Sequence, residues 1–128
     1  MTSTQSAIDA DRFTGLYLRF SHGDATVIDE LFADSIKAHL IGDTLLAADY
    51  AGKPAIREFI ARTIEMNHSA SYQLEIDDVL CGKAYIAIVG HVTATEAKTG
   101  KTSVLNTHDV FHFDREGKAD EMWSLVLG

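Results

Sequence analysis

The hydrophobic pattern of this chain changes its period near residue 71, and that change constrains the fold more than any other feature. Upstream, apolar residues recur three and four positions apart, as in helices, and downstream they alternate with polar residues, as in strands. This order predicts an α+β domain with helices on one face of a curved antiparallel sheet. No linker, repeat or low-complexity segment interrupts the 128 residues, so we predict one domain, 1–128, with residues 1–5 frayed or disordered.

Three helices are predicted in the first half of the chain. The first spans residues 6–22 and ends at Gly23, and Asp24 then caps a short second helix. The third spans residues 53–67 and has Pro54 near its start, where a missing amide proton breaks no helical hydrogen bond.

The strands are predicted from alternation and from the turns between them. A short strand at 36–41 precedes a short strand or hairpin within 45–52. Four longer strands follow at 71–80, 85–95, 105–113 and 118–127, separated by turns that contain glycine. Because these turns are short, the last four strands are expected to pair in sequence order as hairpins.

Charge and cysteine content exclude several classes of partner. The 19 acidic and 11 basic residues give a net charge of −8, which argues against nucleic acid and anionic membrane as partners. No apolar run approaches the ~20 residues of a membrane span, and residues 1–6 lack the features of a signal peptide. Cys81 is the single cysteine, so no internal disulfide forms and a reducing cytoplasm is the expected location.

An acidic residue lies on the apolar face of the predicted strand 105–113. Leu105, Thr107, Asp109, Phe111 and Phe113 alternate onto that face. A buried carboxylate has to be paired, hydrated or protonated, because burying it ionised and alone costs several kcal/mol. An acid in an apolar wall is typical of a small-molecule pocket. The alternative is that Asp109 bonds a buried hydroxyl or backbone group and only holds the strand.

The last strand predicts a second apolar surface. Met122, Ser124 and Val126 point to one side of it, and Trp123 and Leu125 point to the other. If the first side meets the helices, the second exposes a tryptophan unless a partner covers it. We therefore predict a homodimer through the outer sheet face, on the side of Trp123 and Leu125.

The sequence predicts neither a metal site nor a cofactor. His108 and His112 share a strand face but are four residues apart. That separation is roughly 13 Å along a strand, too far for one ion with ligands at ~2 Å. His91 would need partners of its own. The sequence contains no Gly-rich phosphate loop, Gly-x-Ser-x-Gly elbow or Cys–His pairing.

Four motifs occur in an order and spacing that resemble a known superfamily. They are Gly23-Asp24, Leu31-Phe32-Ala33-Asp34, the segment 52–59 (GKPAIREF), and the segment 109–113 (DVFHF) followed by Gly117-Lys118. The set is similar to SnoaL-like and ketosteroid-isomerase-like members of the nuclear transport factor 2-like superfamily. The resemblance implies a cone-shaped, cystatin-like α+β barrel: a curved sheet wrapped around three N-terminal helices. It also implies an apolar pocket between helices and sheet, and homodimers.

The same resemblance suggests roles for single residues. Asp109 falls where ketosteroid isomerases carry a protonated aspartate in their oxyanion hole. Leu16 occupies the position of their oxyanion tyrosine, with Tyr17 one residue later. Leu40 occupies the position of their general base, with His39 one residue earlier. Steroid isomerisation is therefore not expected, and Asp109 is expected to lack its usual helpers.

These considerations give the candidate site and two classes of function. The catalytic candidates are Asp109, His39 and Tyr17, and the ligand-binding candidates are Phe20, Leu40, Tyr50, Phe59, Phe111 and Met122. His39 could instead be a strand histidine that faces away, and the two tyrosines could be core residues with a wet tip. One hypothesis is a cofactor-free acid/base isomerase, cyclase or dehydratase that acts on an apolar substrate with a carbonyl or hydroxyl. The other is a non-catalytic ligand-binding or dimerisation module, and a fold without an open pocket is a third possibility.

Overall fold

The computed structural model describes residues 8–42, 46–66 and 72–127. The helices are α1 (Ala10–Ser21), α2 (Ile28–Leu31) and α3 (Lys53–Met66), and a 3₁₀ turn (Ala25–Val27) precedes α2. The strands are β1 (Phe32–Gly42), β2 (Ala48–Ala51), β3 (Gln73–Cys81), β4 (Tyr85–Thr95), β5 (Thr102–Phe113) and β6 (Ala119–Leu127). The predicted frayed N-terminus 1–5 and the predicted ends at Ser6, Asn67 and Ser71 lie outside the described residues.

The first helix begins later than predicted. The side chain of Asp9 accepts a hydrogen bond from the Arg12 amide at 3.0 Å, and α1 begins at Ala10. The helix gives way at Gly23, whose φ of 101° is readily reached only by glycine. The third helix begins at Lys53, as predicted from the position of Pro54.

The sheet is curved, unclosed and mixed, with the strand order β2-β1-β6-β5-β4-β3. The last four strands pair as the predicted antiparallel hairpins. The first strand differs from the antiparallel expectation, because β1 runs parallel to β6 while β2 folds back antiparallel on the other side of β1. The α+β fold class is confirmed, with both directions of pairing in one sheet.

The helices pack on the concave face of the sheet. The apolar face of α1 is buried there, as its helical spacing predicted, and Phe13 stacks edge-on against Phe111 with ring centroids 4.8 Å apart. Phe32, Ile86 and Phe111 have no exposed surface. None of the helices in the described residues is long and apolar enough to cross a membrane.

The register of β5 against its neighbours sets the positions of the site residues. Asp109 lies opposite Ser124 on β6 and Ile88 on β4, with all three side chains on the inner face. The next inward residue toward the start of β5 is Thr107, which lies opposite Val126. Since strand side chains alternate, Trp123 points to the outer face of the sheet.

Candidate functional site

A cavity of about 430 Å³ lies between the helices and the concave face of the sheet. This is within the usual range for small-molecule sites. The structure therefore contradicts the alternative without a pocket. Residues from α1, α3 and every strand contribute to the wall, and most of its surface is apolar. The predicted residues that line it are Tyr17, Phe20, His39, Leu40, Tyr50, Phe59, Asp109 and Met122.

Asp109 has two hydrogen-bond partners, each of which holds one carboxyl oxygen. The Tyr17 hydroxyl donates to Oδ2 at 2.8 Å, and the Ser124 hydroxyl donates to Oδ1 at 2.5 Å. The Asp109 residue is 3 % exposed. The expectation that Asp109 lacks helpers is wrong, because α1 and β6 each bring a hydroxyl to it.

Burial raises the pKa of Asp109 above its usual value, while the hydrogen bonds from Ser124 and Tyr17 act in the opposite direction. Which groups donate hydrogen bonds at the site depends on whether Asp109 carries a proton. When Asp109 is ionised, both hydroxyls donate to it. When it is protonated, its own O–H has to donate to one of these hydroxyl oxygens or to a bound molecule. The site can therefore offer or accept a proton at one fixed position.

Tyr17, rather than Leu16, is the residue of α1 that reaches Asp109. Burial and the charge of Asp109 raise the pKa of Tyr17 well above its usual value, so its phenol stays a neutral donor. Its ring packs edge-on against Phe111 with centroids 4.9 Å apart, which fixes the direction of the hydroxyl. The hydroxyl that the resemblance placed at position 16 is therefore provided by Tyr17, one residue later.

Tyr72 is a further phenol that the sequence did not single out. It lines the cavity immediately before β3. Burial, followed by the charge of Asp109, raises the pKa of Tyr72 to about 12. Asp109 therefore influences two phenols that border the cavity. The sequence indicates only the strand face on which Tyr72 and Ser124 lie, and nothing in it marks either residue as part of a site.

The structure corrects the placement of His39. Its Nδ1 lies 2.8 Å from Asp49 and its Nε2 lies 2.8 Å from Glu121, so both ring nitrogens are occupied. Its ring stacks on Trp123 with centroids 5.8 Å apart. Because Trp123 points to the outer face, the His39 ring lies across the sheet from Asp109. His39 contributes to the cavity wall, but its ring is held by acids and stacks on Trp123, so it is not the second polar group beside Asp109.

Phe111 is also placed differently from its expected role. It has no exposed surface and is not part of the cavity wall. It packs beneath the site, against the rings of Phe13 and Tyr17. Tyr50 does line the cavity, but its hydroxyl donates to the carbonyl oxygen of Leu46. Phe111 therefore supports the site, and the Tyr50 hydroxyl is engaged by the protein itself.

Two further histidines, His91 and His112, are paired with acids. His91 contacts Glu75 and Asp77, and His112 contacts Asp120. Within the ranges that the structure describes, no group of three or more histidine, cysteine or acidic side chains could hold a metal ion.

The raised pKa of Asp109 has a measurable effect on stability. The folded protein holds this proton more tightly than an unfolded chain with the usual value of 3.8. The stabilisation is present below the unfolded pKa and is lost as the pH rises through the higher folded pKa. We expect the free energy of unfolding of the wild type to fall, relative to that of Asp109→Asn, across this window. Urea unfolding of both proteins at a series of pH values measures this, and a constant difference would contradict it.

Comparisons with known proteins give a consistent family. The sequence model of the SnoaL-like domain matches residues 13–122. Bal32a, from a soil-derived mobile gene cassette, has a similar structure with a TM-score of 0.79 and 22 % identity, covering 91 % of this chain and 87 % of that one. A putative SnoaL-like polyketide cyclase from Jannaschia sp. CCS1 has a TM-score of 0.74 at 13 % identity, covering 98 % and 91 %.

A third similar structure is SalBIII, described as an epoxide hydrolase/cyclase-like enzyme in pyran ring formation in the polyether salinomycin. Its TM-score is 0.71 at 21 % identity, covering 92 % of each chain. None of the curated proteins compared with this sequence matches it. The solved structures, at these identities, show a common fold and no more. The domain match extends from α1 into β6. This chain belongs to the SnoaL-like domain family.

Proposed function

We propose that this protein binds an apolar small molecule through a carbonyl or hydroxyl oxygen and catalyses a cofactor-free acid/base reaction on it. The observation that carries the proposal is the Tyr17–Asp109–Ser124 group, three hydroxyl or carboxyl side chains joined by hydrogen bonds in an otherwise largely apolar cavity. Isomerisation, cyclisation and dehydration are the reaction types that need only such a group.

The proposed chemistry follows from the protonation of Asp109. In its protonated form it would donate a hydrogen bond to a carbonyl oxygen of the ligand and stabilise the enolate that forms when water takes a proton from the neighbouring carbon. A ligand hydroxyl would instead take the proton of Asp109 and leave as water, and the carboxylate so formed would remove a proton from the adjacent carbon, which completes the dehydration and restores the acid. The neutral phenol of Tyr17 would share the negative charge that develops on the carbonyl oxygen. In its ionised form Asp109 would instead remove a proton, while Ser124 holds the carboxylate in position.

The cavity itself supports a ligand of this kind. Phe20, Phe59 and Met122 provide apolar wall, while Asp109 and Tyr72 bring polar groups to the cavity. A mainly apolar pocket with a few convergent polar groups fits an apolar molecule with few oxygens. The cyclase and epoxide hydrolase/cyclase-like descriptions of two structurally similar proteins are compatible with this class of reaction.

A panel of small substrates tests the proposal. We would incubate the protein with β-hydroxy ketones, β,γ-unsaturated ketones and hydroxy-epoxides, and follow the products by chromatography and mass spectrometry. Isomerisation and cyclisation keep the mass, whereas dehydration removes one water. Product formation above the buffer rate supports an enzyme. Stabilisation of the protein by a compound without product would support the alternative, a non-catalytic ligand-binding module.

We also propose that two copies associate through the outer sheet face. Trp123 and Leu125 on β6 are only half-buried there, and Ile41 beside them is 49 % exposed. Sedimentation velocity is expected to show a dimer at micromolar concentration. Leu125→Glu is expected to convert it to monomers, whereas Leu80→Glu, at the far edge of the sheet, leaves the dimer intact. A monomeric wild type would contradict the proposal.

A further inference from the structure

Thr107 carries a buried hydroxyl that no group in the described part of the chain satisfies. Its residue is 5 % exposed, and its Oγ1 has no hydrogen-bond partner among the described residues. Buried polar atoms are nearly always paired in folded proteins, because an unpaired one lowers stability. An orphan hydroxyl in a cavity wall is therefore a candidate contact for a bound molecule.

The described residues around Thr107 offer its hydroxyl no internal partner. Its cross-strand neighbours are Val126 on β6 and Gly90 on β4. The first has an apolar side chain and the second has none. The space beside Gly90 is filled by the β3 chain, because a Cβ there would meet the Glu75 carbonyl oxygen at 2.4 Å. Neighbouring strands thus leave the hydroxyl without a side-chain donor or acceptor.

Thr107 also lies at a defined place relative to Asp109. Both side chains point inward from β5 and both residues line the cavity. Positions two apart on a strand are roughly 7 Å apart. The cavity wall continues past Thr107 to Leu105 and Ser103 on the same face, so a ligand at Asp109 has room to extend along β5.

We propose that Thr107 binds a second oxygen of the ligand. Rotation about its Cα–Cβ bond turns the hydroxyl toward the cavity that the residue already lines. The molecule that fits has an apolar body with two oxygen functions roughly 7 Å apart, one at Asp109 and Tyr17 and the other at Thr107. This inference rests on the proposed function, in which the Asp109 end holds the first oxygen.

Two probes of the same shape test the second contact. They are 2-naphthol and 2,6-dihydroxynaphthalene, which share one ring system and differ by a hydroxyl at the opposite end. We expect the wild type to bind the diol roughly threefold to tenfold more tightly, the value of one hydrogen bond. Thr107→Ser, which keeps the hydroxyl, retains this preference. Thr107→Val, which keeps the shape, loses the preference and binds 2-naphthol as the wild type does. Fluorescence titration measures the dissociation constant of each probe for four proteins: the wild type, Thr107→Ser, Thr107→Val and Asp109→Asn.

The outcomes separate this inference from the proposed function. A wild type without preference for the diol, or a Thr107→Val protein that keeps it, overturns the role of Thr107. If Asp109→Asn leaves 2-naphthol binding unchanged while Thr107→Val removes the preference, the role of Asp109 fails and that of Thr107 stands.

Thermal unfolding without ligand gives an independent check. Thr107→Val is expected to unfold at the temperature of the wild type or above it, because an unpaired hydroxyl is removed. A clear loss of stability that Thr107→Ser does not share would reveal an internal partner for the hydroxyl and overturn the inference.

Discussion

Asp109→Asn is expected to reduce turnover by at least about 100-fold while the protein stays folded, since a positioned general acid or base contributes that much or more. Asparagine has nearly the same shape, but it can neither release nor take up a proton at this position. Its amide can still meet the hydroxyls of Tyr17 and Ser124, so the packing survives. The substrate that gives product with the wild type in the panel is the one to use.

The matched control for this substitution is Asp120→Asn. Asp120 lies on β6, the strand that also carries Ser124, but its carboxyl pairs with His112 on the outer face of the sheet. We expect its turnover to equal that of the wild type. Circular dichroism and thermal unfolding establish that both variants are folded. Undiminished turnover in a folded Asp109→Asn protein would remove Asp109 from the mechanism.

Phe111→Ala is expected to lower the free energy of unfolding by about 3–5 kcal/mol, the usual range for a buried phenylalanine. The ring has no exposed surface and contacts Phe13 and Tyr17 edge-on. Its removal leaves a void that these rings cannot close without moving away from the sheet. Urea unfolding measures the change, and the melting temperature should fall by roughly 10–20 °C.

Val104→Ala on the same strand is the control for this prediction. Val104 is 59 % exposed, and surface substitutions usually change the free energy of unfolding by less than about 0.5 kcal/mol. Comparable losses in the two variants would show that Phe111 does not anchor the core. A Phe111→Ala protein that is as stable as the wild type and binds larger ligands would show that Phe111 is part of the cavity wall.

The fold could be predicted from sequence wherever the determining forces are local. The apolar face of α1, the start of α3 beside Pro54 and the hairpins of β3 to β6 follow from periodicity and short turns. The parallel pairing of β1 with β6 could not be predicted in this way. It joins residues about eighty positions apart, and no short turn specifies it.

The candidate site could be predicted only as far as local sequence patterns determine it. Asp109 was evident because a carboxylate interrupts an apolar strand face. Its partner Ser124 depends on the β5–β6 register, which includes a shift at His112 and Phe113 that the sequence does not reveal.

The two candidate partners of Asp109 had different outcomes: Tyr17 donates a hydrogen bond to it, and the His39 ring pairs with other acids. Leu16 and Tyr17 both belong to the buried face of α1, so only the seating of the helix on the sheet decides which one meets Asp109. The orientation of His39 did have a usable signal. Lys37 lies two residues earlier on the same side of β1 and is exposed, which assigns that side to solvent.

The pairing of β1 with β6 has a consequence for the order of folding. The long partner of β1 is the last strand, and β2 offers only a four-residue partner on its other side. The β3–β6 meander contains its own local contacts and can form first, whereas β1 has to wait for β6. Closing that long loop carries an entropic cost that the short hairpin turns do not have. The strand that begins nearest the first helix would therefore be among the last to join the sheet.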